Sequence, residues 1–248
     1  MDVKIDSSQR IDDIGFGTLR LIQNIDEFCY GVDGVILADF AAKYEKSQKE
    51  KFCFDLGTGT GIIPLIISHK AKNCRIVGVE VQDNSYELAR KNIKINNLEE
   101  RIDIIHSNVK DINKKLYGKA DFVVSNPPYM ENNSALKNTN EAKTIARHEV
   151  YGKLEDFIKT ASNLLKDKGK LYMVHRPSRL VDLFCFAREF KLEPKLIQFV
   201  SPKQGEIPNI VLIQFVKNGG KELRYLEELK VYGTQGEYSD EIKKIYEK

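Results

Sequence analysis

The segment KFCFDLGTGTGIIPL, residues 51–65, decides the fold class of this 248-residue chain. Its apolar run at 52–56 is predicted as a buried β-strand, and the apolar residues after Gly61 are predicted as a helix. Between them, glycines at 57, 59 and 61 alternate with threonines. A strand, a glycine-rich turn and a helix in this order are typical of the ligand-binding unit of an open parallel sheet.

Outward from this segment, short apolar runs alternate with amphipathic stretches. This alternation predicts a Rossmann-like α/β fold with a seven-stranded, mostly parallel sheet. No long helical pattern separates the last two runs, and 202–209 between them contains Gly and Pro, so they are predicted as an antiparallel hairpin that ends the sheet. The predicted strands are 52–56, 75–80, 101–106, 121–125, 170–175, 196–201 and 210–216. The predicted helices follow Gly61 and span 83–96, 154–166 and 178–190.

The length fits a single domain, 1–248, with one sizeable core. We divide it into an N-terminal segment, 1–50, expected to roof a ligand site, a catalytic core, 51–217, and a C-terminal tail, 218–248. Within the N-terminal segment, the apolar run at 35–42 is predicted as a helix capped by Asp33. The tail mixes Lys and Glu, which is typical of a solvated helix or turn.

Composition argues against several classes of protein. Hydrophobic residues make up 42% of the chain, but no apolar run approaches the roughly 18 residues that a membrane-spanning helix needs. The first eight residues lack the basic start and apolar stretch of a secretory signal, so we expect a cytoplasmic protein. The four cysteines form no CxxC pair, so neither a metal site nor a disulfide is expected. A net charge of +3 neither supports nor excludes a nucleic-acid partner.

The spacing of the glycines narrows the candidate ligands. GxGxG at 57–61 departs from the GxGxxG pattern of NAD sites, and no Lys-Ser/Thr pair follows, as an ATP-binding P-loop requires. Glu80 ends the second predicted strand, where a carboxylate can accept hydrogen bonds from both hydroxyls of a ribose. Asp55 is placed to hold the loop and to reach an ammonium group. Each feature alone is equally consistent with a strand-end turn or a surface acid, whereas their combination predicts binding of S-adenosylmethionine.

Further cofactor contacts are expected where the predicted strands end. Many methyltransferases carry an aspartate after the third strand, which accepts a hydrogen bond from the adenine amine of the cofactor. This chain has Asn108 there, whose amide oxygen can accept the same bond but whose amide nitrogen can also donate. The expected cofactor contacts on the core are Asp55, Gly57, Thr58, Gly59, Gly61, Glu80, Val81, Asn108, Val109 and Asn126.

The turn Asn126-Pro127-Pro128-Tyr129 follows the fourth predicted strand, at the same sheet edge as the glycine loop. An amine attached to a planar group is a poor nucleophile because its lone pair is delocalised. If the Asn126 side-chain oxygen and the Pro127 carbonyl accept its two N–H bonds, the nitrogen pyramidalises and its lone pair turns toward the methyl group. The two prolines fix φ, and Tyr129 offers a ring on which a flat substrate can stack. In isolation such a turn is also a good strand terminator, but beside the glycine loop it predicts a catalytic turn for methyl transfer to a planar amine.

Several segments taken together resemble the bacterial tRNA1(Val) (adenine-37-N6)-methyltransferase family. The resemblance extends along almost the whole chain, and the last three segments separate this family from other enzymes with NPPY. The segments are QNIDEFCYGVDGVILADF at 23–40, DLGTGTGIIPL at 55–65, GVE at 78–80, NPPY at 126–129, RHE at 147–149, HRPSRL at 175–180 and VY at 231–232. Asn108 departs from the acid that is usual at its position.

The resemblance implies a class I methyltransferase that transfers a methyl group from S-adenosylmethionine to the exocyclic N6 of adenine 37, beside the anticodon of a valine tRNA. It also implies cofactor contacts by Tyr30 and Asp33. A loop adenine fits the chemistry, since unpaired bases are readily splayed out and stacked on an aromatic ring. The polar segment 130–146 is predicted as a loop beside the site. Lys137, Lys143 and Arg147 are candidate phosphate contacts, and a surface lid accounts equally well for each lysine.

Three other functions are open at this point. Enzymes that methylate a glutamine amide of release factors also use NPPY, but they carry a larger helical domain before the glycine loop, where this chain has residues 1–50. Guanine-N2 methylation of ribosomal RNA shares the motif but usually accompanies a duplicated domain. A non-catalytic RNA-binding scaffold would not require an intact Asn126, Glu80 and glycine loop. The sequence gives no prediction of oligomeric state.

Overall fold

A computed structural model describes residues 5–25, 31–129 and 152–247. In chain order its strands are β1 (Gln9–Asp13), β2 (Arg20–Asn24), β3 (Lys51–Leu56), β4 (Cys74–Glu80), β5 (Ile102–His106), β6 (Ala120–Ser125), β7 (Leu165–His175), β8 (Leu192–Ser201), β9 (Ile210–Lys217), β10 (Arg224–Tyr225) and β11 (Leu229–Lys230). Its α-helices are α1 (Val32–Glu45), α2 (Ile62–Lys70), α3 (Asp83–Ile95), α4 (Leu154–Leu164), α5 (Leu180–Glu189) and α6 (Asp240–Ile245). Short 3-10 turns lie at Val109–Asp111, Lys114–Leu116 and Pro177–Arg179.

Nine strands form the main sheet, in the order β10-β8-β9-β7-β6-β3-β4-β5, with β11 also paired to β8. Strands β3 to β7 pair in parallel, whereas β9 runs antiparallel to both β7 and β8. The seven predicted strands are β3 to β9, so the predicted Rossmann-like sheet with a C-terminal antiparallel hairpin is confirmed. The two short strands β10 and β11 extend it beyond the prediction.

The strand order reverses at β3, which pairs with β4 on one side and with β6 on the other. Such a reversal opens a crevice at the carboxyl ends of the two central strands, where α/β proteins bind their ligands. The last residues of these strands, Leu56 and Ser125, are direct partners in the register. The Ser125 hydroxyl also donates a hydrogen bond of 2.9 Å to the Leu56 carbonyl. The segments that follow them, the glycine loop and the NPPY turn, therefore begin side by side.

Two apolar clusters pack on the two faces of the sheet. Phe122 and Val124 of β6 face the cluster that contains α1, α2 and α3. Val123 between them faces the cluster that contains α4 and α5. This alternation follows from the two-residue period of a strand, and it gives three layers with the sheet in the middle.

Helix α2 begins directly after the glycine loop and is buried on nearly all sides. Gly61 before it has φ +84°, and every residue from Ile62 to Ser68 is buried. Pro64 lies in the first turn, where a missing N–H breaks no helical hydrogen bond. The continuous apolar run that predicted this helix thus reflects contact with both the sheet and α1.

Some predicted element bounds were wrong. Residues 165–166 belong to β7 rather than to the preceding helix, because Leu165 pairs with Ala120 of β6 ahead of an irregularity in the register. The helix predicted from 178 begins at Leu180 after a 3-10 turn. Asp33 does not cap α1, which begins at Val32 behind an extended Gly31 without a side-chain cap. The Asp33 charge lies instead in the first helical turn, where it is favourable near the positive end of the helix dipole.

The terminal segments are more ordered than predicted. Strands β1 and β2 pair as an antiparallel hairpin, and the tail adds β10, β11 and α6. The prediction of a solvated tail was wrong for Leu229, Val231 and Ile242, which are buried in the first apolar cluster. In the sequence these three residues lie among charged ones, so their common burial is visible only in the folded structure. In the described part of the chain, no helix combines the length and hydropathy that crossing a membrane requires.

Candidate functional site

A cavity of about 490 Å³ lies at the carboxyl edge of the sheet, where the strand order reverses. It brings together the glycine loop, the end of β4 and the NPPY turn. Its lining residues are Gly57, Gly59, Val79, Glu80, Val81, Gln82, Ser107, Val109, Asn126, Pro128 and Phe157. The predicted residues that are described but do not line it are Asp33, Asp55, Thr58, Gly61, Asn108, Pro127 and Tyr129. Tyr30, Lys137, Lys143 and Arg147 lie outside the described residues.

The glycine loop is held by its own backbone. The amides of Gly57 and Thr58 both donate to the Val79 carbonyl, at 2.9 and 3.0 Å. Gly57 has φ +75°, a conformation that favours glycine. A Cβ atom at Gly57 would also lie 3.2 Å from the ring of Phe157. The loop is therefore fixed in shape before any ligand binds.

Glu80, the last residue of β4, is buried and accepts three backbone hydrogen bonds. Its Oε2 accepts from the Gly59 amide at 2.8 Å, and its Oε1 accepts from Val81 and Gln82 at 2.9 and 2.8 Å. A carboxylate offers roughly four lone-pair sites, so one site on Oε2 is left. If both hydroxyls of a ribose bind Glu80, as the sequence predicts, one of these backbone bonds must be shared or released.

Asp55 is fully buried beneath the loop. Its Oδ2 accepts a 2.6 Å hydrogen bond from the Thr58 hydroxyl, whereas Oδ1 is buried without a hydrogen-bond partner in the described residues. Burial raises the pKa of Asp55 to about 7; the Thr58 bond opposes this rise, and the nearby Glu80 charge adds to it. A buried oxygen without a donor is costly, so a cationic donor that reached this position would bind favourably.

Asn108 has a structural contact of its own. Its Oδ1 accepts a 3.0 Å hydrogen bond from the Lys110 amide and so caps the 3-10 turn Val109–Asp111. Ser107 and Val109, its two neighbours, line the cavity. Asn108 therefore stabilises the turn that follows β5 beside the cavity.

Asn126 opens into the cavity with a side chain that is half-buried. Within the described ranges, its amide group makes no hydrogen bond. Pro127 behind it is buried and Pro128 is exposed, and neither can donate from its backbone. Both hydrogen-bonding ends of the Asn126 amide are thus available to a ligand in the cavity.

Tyr129 closes the turn with its ring in contact with β7. Its hydroxyl is buried and lies beside the Asp33 carboxylate. Burial, and then the nearby Asp33 carboxylate, raise the pKa of this hydroxyl well above its ordinary value, so the hydroxyl is neutral. The ring packs at 68° to His175, with centroids 5.2 Å apart, and the Arg176 guanidinium lies over it at 4.8 Å. The ring face under the guanidinium is not available for a substrate to stack on.

Several residues at the site escaped prediction from sequence. Ser107 follows β5 as Val81 follows β4, so its position after a strand was a usable signal. Phe157 gave no such signal in the sequence, because it lies on the apolar face of α4 like an ordinary core residue. Arg176 directly follows a strand and is charged, but the HRPSRL segment that contains it gives it no individual role. In residues 5–25, 31–129 and 152–247, no group of three or more His, Cys, Asp or Glu side chains is arranged to hold a metal ion.

A family model described as methyltransferase small domain matches residues 35–184, more than half of the chain. The tRNA1(Val) (adenine(37)-N6)-methyltransferase of Porphyromonas gingivalis (strain ATCC 33277) is 29% identical over 222 residues, which cover 88% of this chain and 86% of that protein. A protein of the same name from Trichodesmium erythraeum (strain IMS101) is 35% identical over 150 residues, which cover 58% of this chain and 59% of that protein. The residues that the family model matches include the glycine loop, Glu80 and the NPPY turn.

Solved structures share the fold at low sequence identity. A predicted O-methyltransferase from Agrobacterium tumefaciens aligns with a TM-score of 0.68 and 18% identity, over 87% of this chain and 95% of that one. TYW2 from P. horikoshii, in complex with MeSAdo, aligns with a TM-score of 0.62 and 14% identity, over 86% of this chain and 73% of that one. These likenesses concern the arrangement of the sheet and helices.

Proposed function

Because the chain belongs to the methyltransferase small domain family, we propose that it transfers a methyl group from S-adenosylmethionine to the exocyclic N6 of an adenine in tRNA. We propose adenine 37 of a valine tRNA as the target, the position that the names of the Porphyromonas and Trichodesmium proteins specify. The observation that carries the proposal is the unbonded Asn126 amide, which opens into the same cavity as Glu80 and the glycine loop.

The cavity suits S-adenosylmethionine, which supplies a reactive methyl group on a positively charged sulfur. Its volume is within the range of about 300–1,000 Å³ that is usual for small-molecule sites. The unpartnered Asp55 Oδ1 fits the ammonium group of the cofactor, and the remaining acceptor site of Glu80 fits a ribose hydroxyl. We assign cofactor contacts to Tyr30, Asp33, Asp55, Gly57, Thr58, Gly59, Gly61, Glu80, Val81, Asn108, Val109 and Asn126.

Asn126 and Pro127 orient the acceptor amine. The Asn126 side-chain oxygen and the Pro127 carbonyl accept its two N–H bonds, which turns the nitrogen lone pair toward the methyl group. The new N–C bond forms as the S–C bond breaks, and the nitrogen then loses a proton to solvent. His175, the histidine beside Tyr129, is a poor base, since burial lowers its pKa to about 4. The acceleration comes mainly from orientation and exclusion of water.

We assign RNA contacts to Tyr129 and, from the sequence alone, to Lys137, Lys143 and Arg147. We also propose that residues 1–248 form a single methyltransferase domain. Strands β10 and β11 of the tail pair with β8 of the main sheet, and α6 buries Ile242 in the first apolar cluster. These contacts join the tail to the predicted core.

The test is nucleoside mass spectrometry of an unmodified valine tRNA after incubation with the purified protein and methyl-labelled S-adenosylmethionine. We expect labelled N6-methyladenosine, and none when position 37 is changed to guanine. Asn126→Ala should abolish the product, whereas Asn73→Ala, a matched change at a surface amide bonded to the carbonyls of Ser47 and Gln48, should not. Label on guanine N2, or on a release-factor glutamine with none in tRNA, would contradict the proposal.

A further inference from the structure

Arg176 is the first residue after β7, and its guanidinium is held from two sides. Its central carbon lies 4.8 Å from the centroid of the Tyr129 ring. Its Nη1 donates a 3.0 Å hydrogen bond to the carbonyl of Asn209, the residue before β9. Among residues 5–25, 31–129 and 152–247, no carboxylate forms an ion pair with it. Arg179, three residues later, differs because it bonds the Asp182 carboxylate at 2.6 Å.

Tyr129 depends on such contacts for its orientation. Its hydroxyl is buried beside the Asp33 carboxylate. The ring itself contacts Arg176 and His175, which are consecutive residues at the carboxyl end of β7. Because β6 and β7 are parallel neighbours, these side chains and the NPPY turn leave the sheet at the same edge.

His175 strengthens this arrangement. It is buried, and its Nδ1 accepts a 2.8 Å hydrogen bond from the Arg176 amide, which fixes the backbone from which the guanidinium extends. Burial, with Arg179 nearby, lowers the pKa of His175 to about 4, so the ring is neutral at pH 7. A neutral ring adds no positive charge beside Arg176.

We infer that Arg176 is a positioning residue, which locks the Tyr129 ring and thereby fixes the Asn126 and Pro127 acceptors at the other end of the same turn. This inference rests on the proposed function. Loss of the guanidinium would leave tRNA and cofactor able to bind, but the acceptor amine would be less often aligned with the methyl group. Misalignment of this kind lowers kcat more than it raises KM.

The experiment compares Arg176→Ala, Arg176→Lys, Tyr129→Ala and the Arg176→Ala/Tyr129→Ala double variant. Arg188→Ala is the matched control. Arg188 is an exposed arginine on α5, and it forms a hydrogen-bonded ion pair with Glu193 on β8. We expect Arg176→Ala to lower kcat roughly tenfold or more, with KM for tRNA and Kd for the cofactor within about threefold. Lysine should restore little, because an ammonium lacks the planar face of the guanidinium. The double variant should be no slower than Tyr129→Ala.

Three results of these measurements would overturn the inference. One is a kcat for Arg176→Ala within twofold of the unaltered protein. Another is a loss confined to KM that lysine restores and that lowers the salt dependence of binding, which is the behaviour of a direct phosphate contact. The third is multiplicative loss in the double variant, because residues that act through one another are not additive.

A spectroscopic readout separates failure of the inference from failure of the proposed function. In protein labelled with 3-fluorotyrosine, the fluorine signal of Tyr129 is identified by its absence in Tyr129→Phe. We expect Arg176→Ala to shift or broaden that signal and Arg188→Ala to leave it unchanged. An unchanged signal in Arg176→Ala refutes the positioning role, whether or not the protein methylates tRNA.

Discussion

The two halves of the cavity differ in how their polar groups are used. On the glycine-loop side, the backbone amides bond Val79 and the Glu80 carboxylate accepts three amides. On the NPPY side, the Asn126 amide has no hydrogen-bond partner within the described residues. Most polar groups of the first half are therefore bonded without a ligand, whereas the Asn126 amide keeps its hydrogen bonds for one. Bonds that form only with the acceptor in place can favour the transition state over the ground state.

The strongest test of this contrast is Asn126→Ala. We expect kcat to fall about 10³-fold, as for loss of a transition-state hydrogen bond elsewhere, because the amine loses one of its two orienting acceptors. Cofactor affinity should stay within about threefold, since Asn126 is only one of twelve assigned cofactor contacts and carries none of the bonds that shape the glycine loop. Steady-state kinetics and calorimetric titration of the cofactor measure the two effects. An equal loss of cofactor affinity would erase the distinction between the halves.

The opposite change, Glu80→Ala, should act on the cofactor. Hydrogen bonds to a charged group contribute about 1.5–3 kcal/mol, so we expect Kd for S-adenosylmethionine to rise by roughly 10- to 100-fold. Part of this loss comes from the loop, because Gly59, Val81 and Gln82 lose their common acceptor. Glu99→Ala, at an exposed position, is the control. A Glu80 variant with normal cofactor affinity but slow transfer would reverse the assigned roles.

Asp55 is the exception within the glycine-loop half, and it predicts a pH dependence. Its pKa is about 7 in the folded protein against an ordinary 3.8, so between about pH 4 and 7 the folded state holds a proton that the unfolded state has lost. The Asp55 contribution to folding stability therefore falls as pH rises through this window. An ammonium group favours the ionised carboxylate, so cofactor affinity should rise by up to about tenfold per pH unit until pH 7.

Calorimetry in two buffers of different ionisation enthalpy checks this linkage. Below pH 7 we expect uptake of the cofactor to release up to one proton, and we expect Asp55→Asn to remove both the release and the slope of affinity with pH. Chemical denaturation of the free protein at several pH values should show a matching change in slope for the variant. Proton release that survives in Asp55→Asn would assign the titration to another group.

The smallest effect is expected at Asn108. Asn108→Asp keeps an oxygen that can accept from the Lys110 amide, and Asn108 does not line the cavity. Cofactor affinity should therefore change by less than about threefold, the scale of a weak exposed interaction. A gain of tenfold or more in titration calorimetry would show that the acid usual in related enzymes contacts the adenine here as well.

The order of strands and helices in the core could be predicted from the sequence because it depends on local patterns of residues. Buried parallel strands give continuous apolar runs, and the glycines at 57 and 59 take positive φ values that side chains disfavour. Predicted element bounds were wrong where pairing between distant residues overrode a local pattern, as for Leu165, which belongs to β7 because it pairs with Ala120. The prediction for the tail was wrong for the same reason, since Leu229 pairs with Val200, which is far away in the chain.

The site could be predicted only where a residue both follows a strand and carries a polar group. Glu80 and Asn126 met both conditions, and the structure brings them to one cavity. Phe157 met neither condition. Arg176 follows β7 and is charged, but its contact with Tyr129 depends on which strands become neighbours, and the sequence does not show that. Glu80 shows a further limit: the sequence indicated an acceptor at this position, but not that three backbone amides already occupy most of its lone pairs.

The hydrogen bond from Ser125 to the Leu56 carbonyl bears on how such an enzyme can change its target. Neighbouring strands lie about 4.8 Å apart, so the separation between the donor and acceptor halves is set by the sheet itself and not by the lengths of the loops that leave it. If the segment 130–146 contacts the substrate, as the sequence predicts, insertions or exchanges there would alter which molecule is presented without moving the methyl donor relative to Asn126. Recognition and chemistry can diverge independently in such a scaffold, which makes the segment after NPPY the place to begin when redirecting the enzyme to a new acceptor.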